Sequence, residues 1–121
     1  MVDGPTQATD IDRTEANRAL VRAFVETVFI AGDLDALDTF VSTDHYTEHH
    51  PTGTDGVEAL RARLAAAASG PGAVACHTLH RVLAQGRFFV LAVIEGSRGG
   101  VHDAFYHLYR VEAGELVEHW D

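Results

Sequence analysis

The chain predicts an α+β domain, three helices followed by a strongly bent antiparallel sheet, from three observations. Up to about residue 68, apolar side chains recur at three- and four-residue spacing between glycine breaks. From Val74 onward, strand-like runs alternate with short glycine turns. Between the helical stretches lies one polar run, His45-Tyr46-Thr47-Glu48-His49-His50, closed by Pro51. A bent sheet with one face covered by helices leaves an open mouth suited to a small molecule.

Taken in order, residues 1–12 read as a flexible, polar N-terminus, and 13–121 as a single domain. Asp12-Arg13-Thr14-Glu15 has capping-box form. The helix after it buries Leu20, Val21, Phe24, Val28 and Phe29, with Arg18, Arg22 and Glu26 on the other side. Gly32 stops it, and Asp33 caps a short second helix over 34–40. His45 to His50 form a short strand, after which Asp55 caps a third helix over 56–68. Val57, Leu60 and Leu64 face inward there, and Ser69-Gly70-Pro71-Gly72 breaks it. Four antiparallel strands follow, over 78–84, 87–96, 101–111 and 116–120.

The charge balance excludes some partners. All nine basic residues are arginines, against 18 acidic ones, for a formal charge of −9. Neither nucleic acid nor an anionic membrane gains by meeting such a surface. Residues 88–94, the longest apolar run, are too few to span a bilayer. The N-terminus has no charged segment followed by an apolar one, so a cytoplasmic protein is expected. Cys76 stands alone, which leaves no disulfide framework, and it reads as a small apolar residue.

The candidate chemistry lies in the histidines and the end of the chain. Eight histidines are scattered through the sequence. His49 and His50 are adjacent, so on a strand they point to opposite faces. His50 shares parity with Tyr46 and Glu48, and that trio is assigned to the pocket. His49 packs towards the helices or holds a neighbouring loop. Ala113-Gly114 lacks the Asn-Gly or Asp-Gly of a two-residue hairpin, which favours a three-residue loop with Gly114 in the bulge position. That register sets His107 opposite His119 and Phe105 opposite Asp121, with His107, His119 and Asp121 on one face. A one-residue slip would group Tyr106 and Leu108 with them instead. Asp121, desolvated in an apolar cone, would serve as a general base for a proton α to a carbonyl, with His50 or Tyr46 facing the oxyanion. Trp120 is a core or wall residue.

Several blocks carry a family resemblance. These are Asn17-x-x-Leu20-Val21-x-x-Phe24, Gly32-Asp33-Leu34-Asp35-x-Leu37, Tyr46-x-x-His49-x-Pro51, Gly56-x-Glu58-x-Leu60, His80-Arg81-Val82-Leu83-Ala84-x-Gly86, and Arg110-Val111-x-x-Gly114-x-Leu116-Val117-Glu118-His119-Trp120-Asp121. Together they resemble the SnoaL-like polyketide cyclases of the nuclear-transport-factor-2-like (cystatin-like cone) superfold. The resemblance implies a cofactor-free, metal-free cone acting on a small hydrophobic carbonyl compound, an aspartate as acid/base, and a homodimer formed through the outer sheet face. Asp121, His50 and His107 are the catalytic candidates. Tyr46, Glu48, His49, His80, Phe105, His119 and Trp120 are the substrate-binding ones. The chain departs from the family pattern with His50 in place of Asn, His107 in place of Asp, and Gly86-Arg87 in place of Gly-Asp.

Two other readings stand beside the acid/base enzyme acting by aldol cyclisation, isomerisation or dehydration. One is a ligand-binding module of the same shape without turnover. The other is a metal-dependent enzyme using His50, His107, His119 and Glu48 or Asp121, since histidine with carboxylate suits zinc or non-haem iron.

Overall fold

The computed structural model describes residues 4–50, 53–85 and 88–120. Helix α1 spans Gly4–Phe24 and runs on as a π-helical segment, Val25–Ile30. It therefore starts well before Asp12, and the capping-box residues lie inside it. A 3-10 turn, Leu34–Ala36, leads into α2, Leu37–Phe40. After β1, Thr47–Glu48, comes α3, Val57–Ala67. The remaining strands are β2, Val74–Gln85; β3, Phe89–Arg98; β4, Val101–Glu112; and β5, Glu115–Trp120. The α+β layout is the one the periodicities predict.

The sheet order is β1-β5-β4-β3-β2. Strands β2 to β5 are antiparallel neighbours, whereas β1 joins β5 in parallel, with Thr47 opposite Glu118 and Glu48 opposite His119. The polar run thus lies beside the closing block of the chain, although 70 residues separate them in sequence. Asp55 does not cap α3; its Oδ1 accepts the Glu48 backbone N–H at 2.9 Å and ties the loop to β1.

The helices cover one face of the sheet. Val90, Ala92 and Ile94 of β3 alternate into the core, as do Phe105, Tyr109 and Val111 of β4. Phe24 is the hub, edge-on to Phe29, Phe40 and Tyr109 with ring centroids 5.2, 5.7 and 5.5 Å away. The widened π-helical turn sends Val25 and Val28 into this core and Phe29 towards the neighbouring cavity.

Bulges shape the sheet. Strand β2 shifts register between Cys76 and Thr78 and again between Leu79 and Arg81, bending its first half. The β4–β5 turn differs from the three-residue loop expected. Glu112 pairs with Glu115, and Ala113 and Gly114 both have positive φ (50° and 77°), as a two-residue turn of mirror-image type demands. Ala113 accepts a backbone conformation that disfavours a Cβ. Beyond it, a bulge at Val117 leaves Leu116 and Val117 both buried. His119 consequently opposes Tyr109 rather than His107, and Trp120 opposes Leu108. The displacement from the expected register is even, so His107 and His119 keep the same face.

Gly96 faces Cys76 across the first bulge, where a Cβ would stand 2.0 Å from the Ala75 carbonyl oxygen. Backbone cannot yield there as a flexible side chain would. Gly96→Ala is expected to lower unfolding free energy by at least about 2 kcal/mol. An unchanged urea midpoint would contradict the close β2–β3 approach.

Candidate active site

The site is built around a buried carboxylate. Glu48 is 8 % exposed as a residue, and each of its oxygens accepts two hydrogen bonds. Oε1 takes the Tyr46 hydroxyl at 2.9 Å and an Arg63 terminal N–H at 2.8 Å. Oε2 takes His119 Nδ1–H at 2.5 Å and the His50 backbone N–H at 3.2 Å. Four donors match the four acceptor positions of an ionised carboxylate. Desolvation alone would raise the Glu48 pKa. The hydrogen bond from His119, with Arg63 and Tyr46, outweighs it and holds the group below its ordinary value. Gly53 closes over the carboxylate so tightly that a Cβ would lie 2.5 Å from Glu48 Cγ.

His119 is 2 % exposed and sits between Glu48 and His107. Its Nε2 is 2.8 Å from His107 Nδ1. The two rings stack at 5.0 Å, and Tyr109 packs on His119 at 4.9 Å. A carboxylate only accepts, so His119 Nδ1 carries the proton. In the neutral tautomer that this contact defines, His119 Nε2 is an acceptor and takes a hydrogen bond from His107 Nδ1–H. Burial first, then the nearness of His119 and of the Arg63 cation, push the His107 pKa down to about 3, so His107 is neutral. Its Nε2, on the opposite edge of the ring, is then a lone-pair acceptor.

His107 lines a cavity of about 310 Å³ between α3, the π-helical segment and the sheet. His50, Arg63 and Arg98 supply its other polar lining; Phe29, Leu64, Val74 and Phe105 its apolar walls. Cys76 also lies in the wall, and burial pushes its thiol pKa up, away from thiolate chemistry. A larger recess, about 470 Å³, lies between α1 and the β4–β5 turn. None of Glu48, His107 and His119 lines it. The smaller cavity is therefore where a positioned acid/base group meets space for a ligand.

The sequence candidates divide into distinct places. His50, His107 and Phe105 line the cavity. Tyr46, Glu48 and His119 lie behind it as a buried chain. His49 faces neither the helices nor the cavity: it is on the outer sheet face, stacked on Trp120 at 4.7 Å and 2.6 Å from Glu118. Trp120 is there too, with Phe89 at 6.1 Å. His80 falls at the second β2 bulge and is exposed, because the extra residue turns it away from the cavity. Asp121 lies outside the described residues. Arg63 and Arg98 carried no signal in the motif reading, although Arg63 sits three residues after the inward Leu60. Among the described residues, no group of three His, Cys, Asp or Glu side chains is arranged to hold a metal. His107 and His119 instead engage each other.

The sequence over residues 21–119 matches the family model for the SnoaL-like domain. The chain belongs to the SnoaL-like domain family. Its fold is shared with TsrD from Streptomyces laurentii (TM-score 0.64, 21 % identity, covering 88 % of this chain and 86 % of that one). A cystatin-like-fold protein of unknown function from Xanthomonas campestris superposes at TM-score 0.61 with 22 % identity, over 84 % and 85 % of the two chains. IdmH from Streptomyces antibioticus, provisionally assigned as a polyketide cyclase, superposes at 0.60 with 20 % identity, over 85 % and 88 %. No curated protein matches the sequence. The α+β arrangement of helices and a five-stranded sheet matches these cystatin-like neighbours, and among the described residues no helix is long and apolar enough to cross a membrane.

His107 makes a testable contribution to pH stability. Its pKa is lowered from 6.5 to about 3 on folding, so in that window the unfolded chain takes up a proton that the folded chain refuses. Stability therefore falls as pH drops below 6.5. His107→Gln should show a shallower decline between pH 6.5 and about 5.5, above the range where Glu48 protonates in the unfolded chain. Parallel urea-midpoint curves for the two proteins would refute the neutral assignment of His107.

Proposed function

We propose that this SnoaL-like domain is an acid/base enzyme that removes a proton α to a carbonyl in a small hydrophobic substrate. The observation that carries this reading is the contact chain Glu48–His119–His107 ending at the cavity. In the proposed step, the carbon-bound proton goes to His107 Nε2 while His107 Nδ1–H passes to His119 Nε2. The cation then rests on His119, against the Glu48 carboxylate, and His107 is neutral throughout. A histidine with a pKa of about 3 is a poor base alone. Handing the proton inward removes that obstacle. The electron pair of the broken C–H bond forms the enolate, whose oxygen is met by Arg63 or His50. Attack of the enolate carbon on a second carbonyl gives aldol cyclisation; return of the proton to another carbon gives isomerisation.

The low basicity of His107 equally favours a second reading, a binding module that holds a ligand without turning it over. Exchange of α-protons of benzylacetone in heavy water, followed by proton NMR, separates the two. Under the enzyme reading His107→Gln loses about 10²-fold or more in exchange rate. Asp121→Asn is the companion variant, since the resemblance assigns the base to Asp121. Full loss in Asp121→Asn with retention in His107→Gln would overturn the relay. No exchange above background in the unaltered protein would favour the binding module.

We also propose a homodimer formed through the outer sheet face. Leu83, Leu91, Leu108 and Trp120 follow one another across four strands by register, flanked by Phe89 and Tyr106. Leu83, Phe89 and Tyr106 are exposed in the single chain, and a continuous apolar sheet face of this kind is typical of an interface. The double variant Leu83→Glu/Tyr106→Glu should elute as a monomer where the unaltered protein elutes as a dimer, with light scattering giving the mass. A monomeric unaltered protein would end this proposal.

A further inference from the structure

Among the described residues, the acidic chain offers its cavity two guanidinium groups and no carboxylate. Acidic residues outnumber arginines 18 to 9, yet Arg63 and Arg98 both line the cavity and, among the described residues, neither Asp nor Glu does. The two cations differ in how far they are already neutralised. Arg63 is half-buried and bonded to the fully buried Glu48 at 2.8 Å. Its charge is matched from within. Arg98 is more exposed and meets Asp103 through Nε at 3.3 Å, on the solvent side, where an ion pair contributes little. Its guanidinium lies 5.3 Å from the centre of the Phe105 ring, another wall of the cavity. That contact fixes the planar group at the cavity edge.

A second, wholly different feature describes the rest of the ligand. An annex of about 130 Å³ shares Phe29, Leu64, Val74 and Cys76 with the main cavity and continues between the π-helical segment and α3. Val28 and Leu34 add to its walls, and among the described residues no charged side chain lines it.

We propose that the ligand of this cavity is an apolar carboxylic acid, its carboxylate held by the Arg98 guanidinium and its apolar body reaching into the annex. The proposal rests on the reading of this cavity as the functional site and adds the charge of its substrate: with the carbonyl at His107, the substrate is an apolar keto acid. Arg98 is then a specificity residue, because a guanidinium fork matches a carboxylate in a way it does not match an amide or ester.

The experiment compares benzoylpropionate with its neutral isostere benzoylpropanamide by isothermal titration calorimetry. The unaltered protein should bind the acid at least about tenfold more tightly, as a charge-assisted contact implies. Arg98→Gln should bring the acid down to the amide's affinity and leave the amide unchanged. Far-UV circular dichroism checks that the variant folds, and Arg98→Lys should retain part of the preference. Equal affinities in the unaltered protein, a preference that survives Arg98→Gln, or no acid binding at millimolar concentration would each overturn the proposal. His107→Gln keeps the acid preference if the ligand class is right, whatever becomes of proton exchange. Failure of the catalytic reading and failure of this one are thereby distinguishable.

Discussion

The buried Glu48 carboxylate sets the chemistry of the whole site. Because it can only accept, it dictates which nitrogen of His119 bears a proton, and through that ring which nitrogen of His107 does. One ionised group thus orders two imidazoles in series, the second of which lines the cavity. An unpaired carboxylate at this depth would be strongly disfavoured. Tyr46, Arg63, His119 and the His50 backbone N–H together make it tolerable. The same four contacts draw β1, α3 and β5 to one point, so the group that defines the tautomers also holds the elements that frame the cavity.

Irregular backbone does much of the positioning. The bulge at Val117 allows Leu116 and Val117 to be buried consecutively while returning His119 to the cavity side. The β2 bulges bend the strand and turn His80 outward, leaving Val74 and Cys76 as cavity wall. The π-helical turn brings Phe29 against His107 at 5.3 Å. These are local departures from regular geometry, and the π-helical turn and the first β2 bulge supply cavity-lining residues, Phe29 and Cys76.

The two faces of the sheet have separate tasks in this arrangement. The inner face carries the aromatic stack from Phe24 through Tyr109 to His119, which joins the core rigidly to the acid/base chain. The outer face carries Trp120, His49 and the apolar row across the strands. Beyond the Val117 bulge, alternation in β5 splits the closing Glu118-His119-Trp120 between them: His119 inward to the chemistry, its two neighbours outward.

The sequence by itself determined the element order, the helical and strand periods, and the parity that puts Tyr46, Glu48 and His50 on one side and His49 on the other. These are properties of neighbours a few residues apart, which local periodicity records. The common face of His107 and His119 was also legible, because the actual register differs from the expected one by an even number of residues. Only the tertiary structure decided that β1 lies parallel beside β5 and that Glu48 backs His119. Nothing in a local pattern encodes a pairing between two residues so far apart. It also decided the two-residue turn at Ala113-Gly114, since the Val117 bulge and core burial outweigh the unfavourable positive φ at Ala113. Arg63 and Arg98 became cavity residues for the same reason: a surface-type side chain acquires a role from what long-range packing sets in front of it.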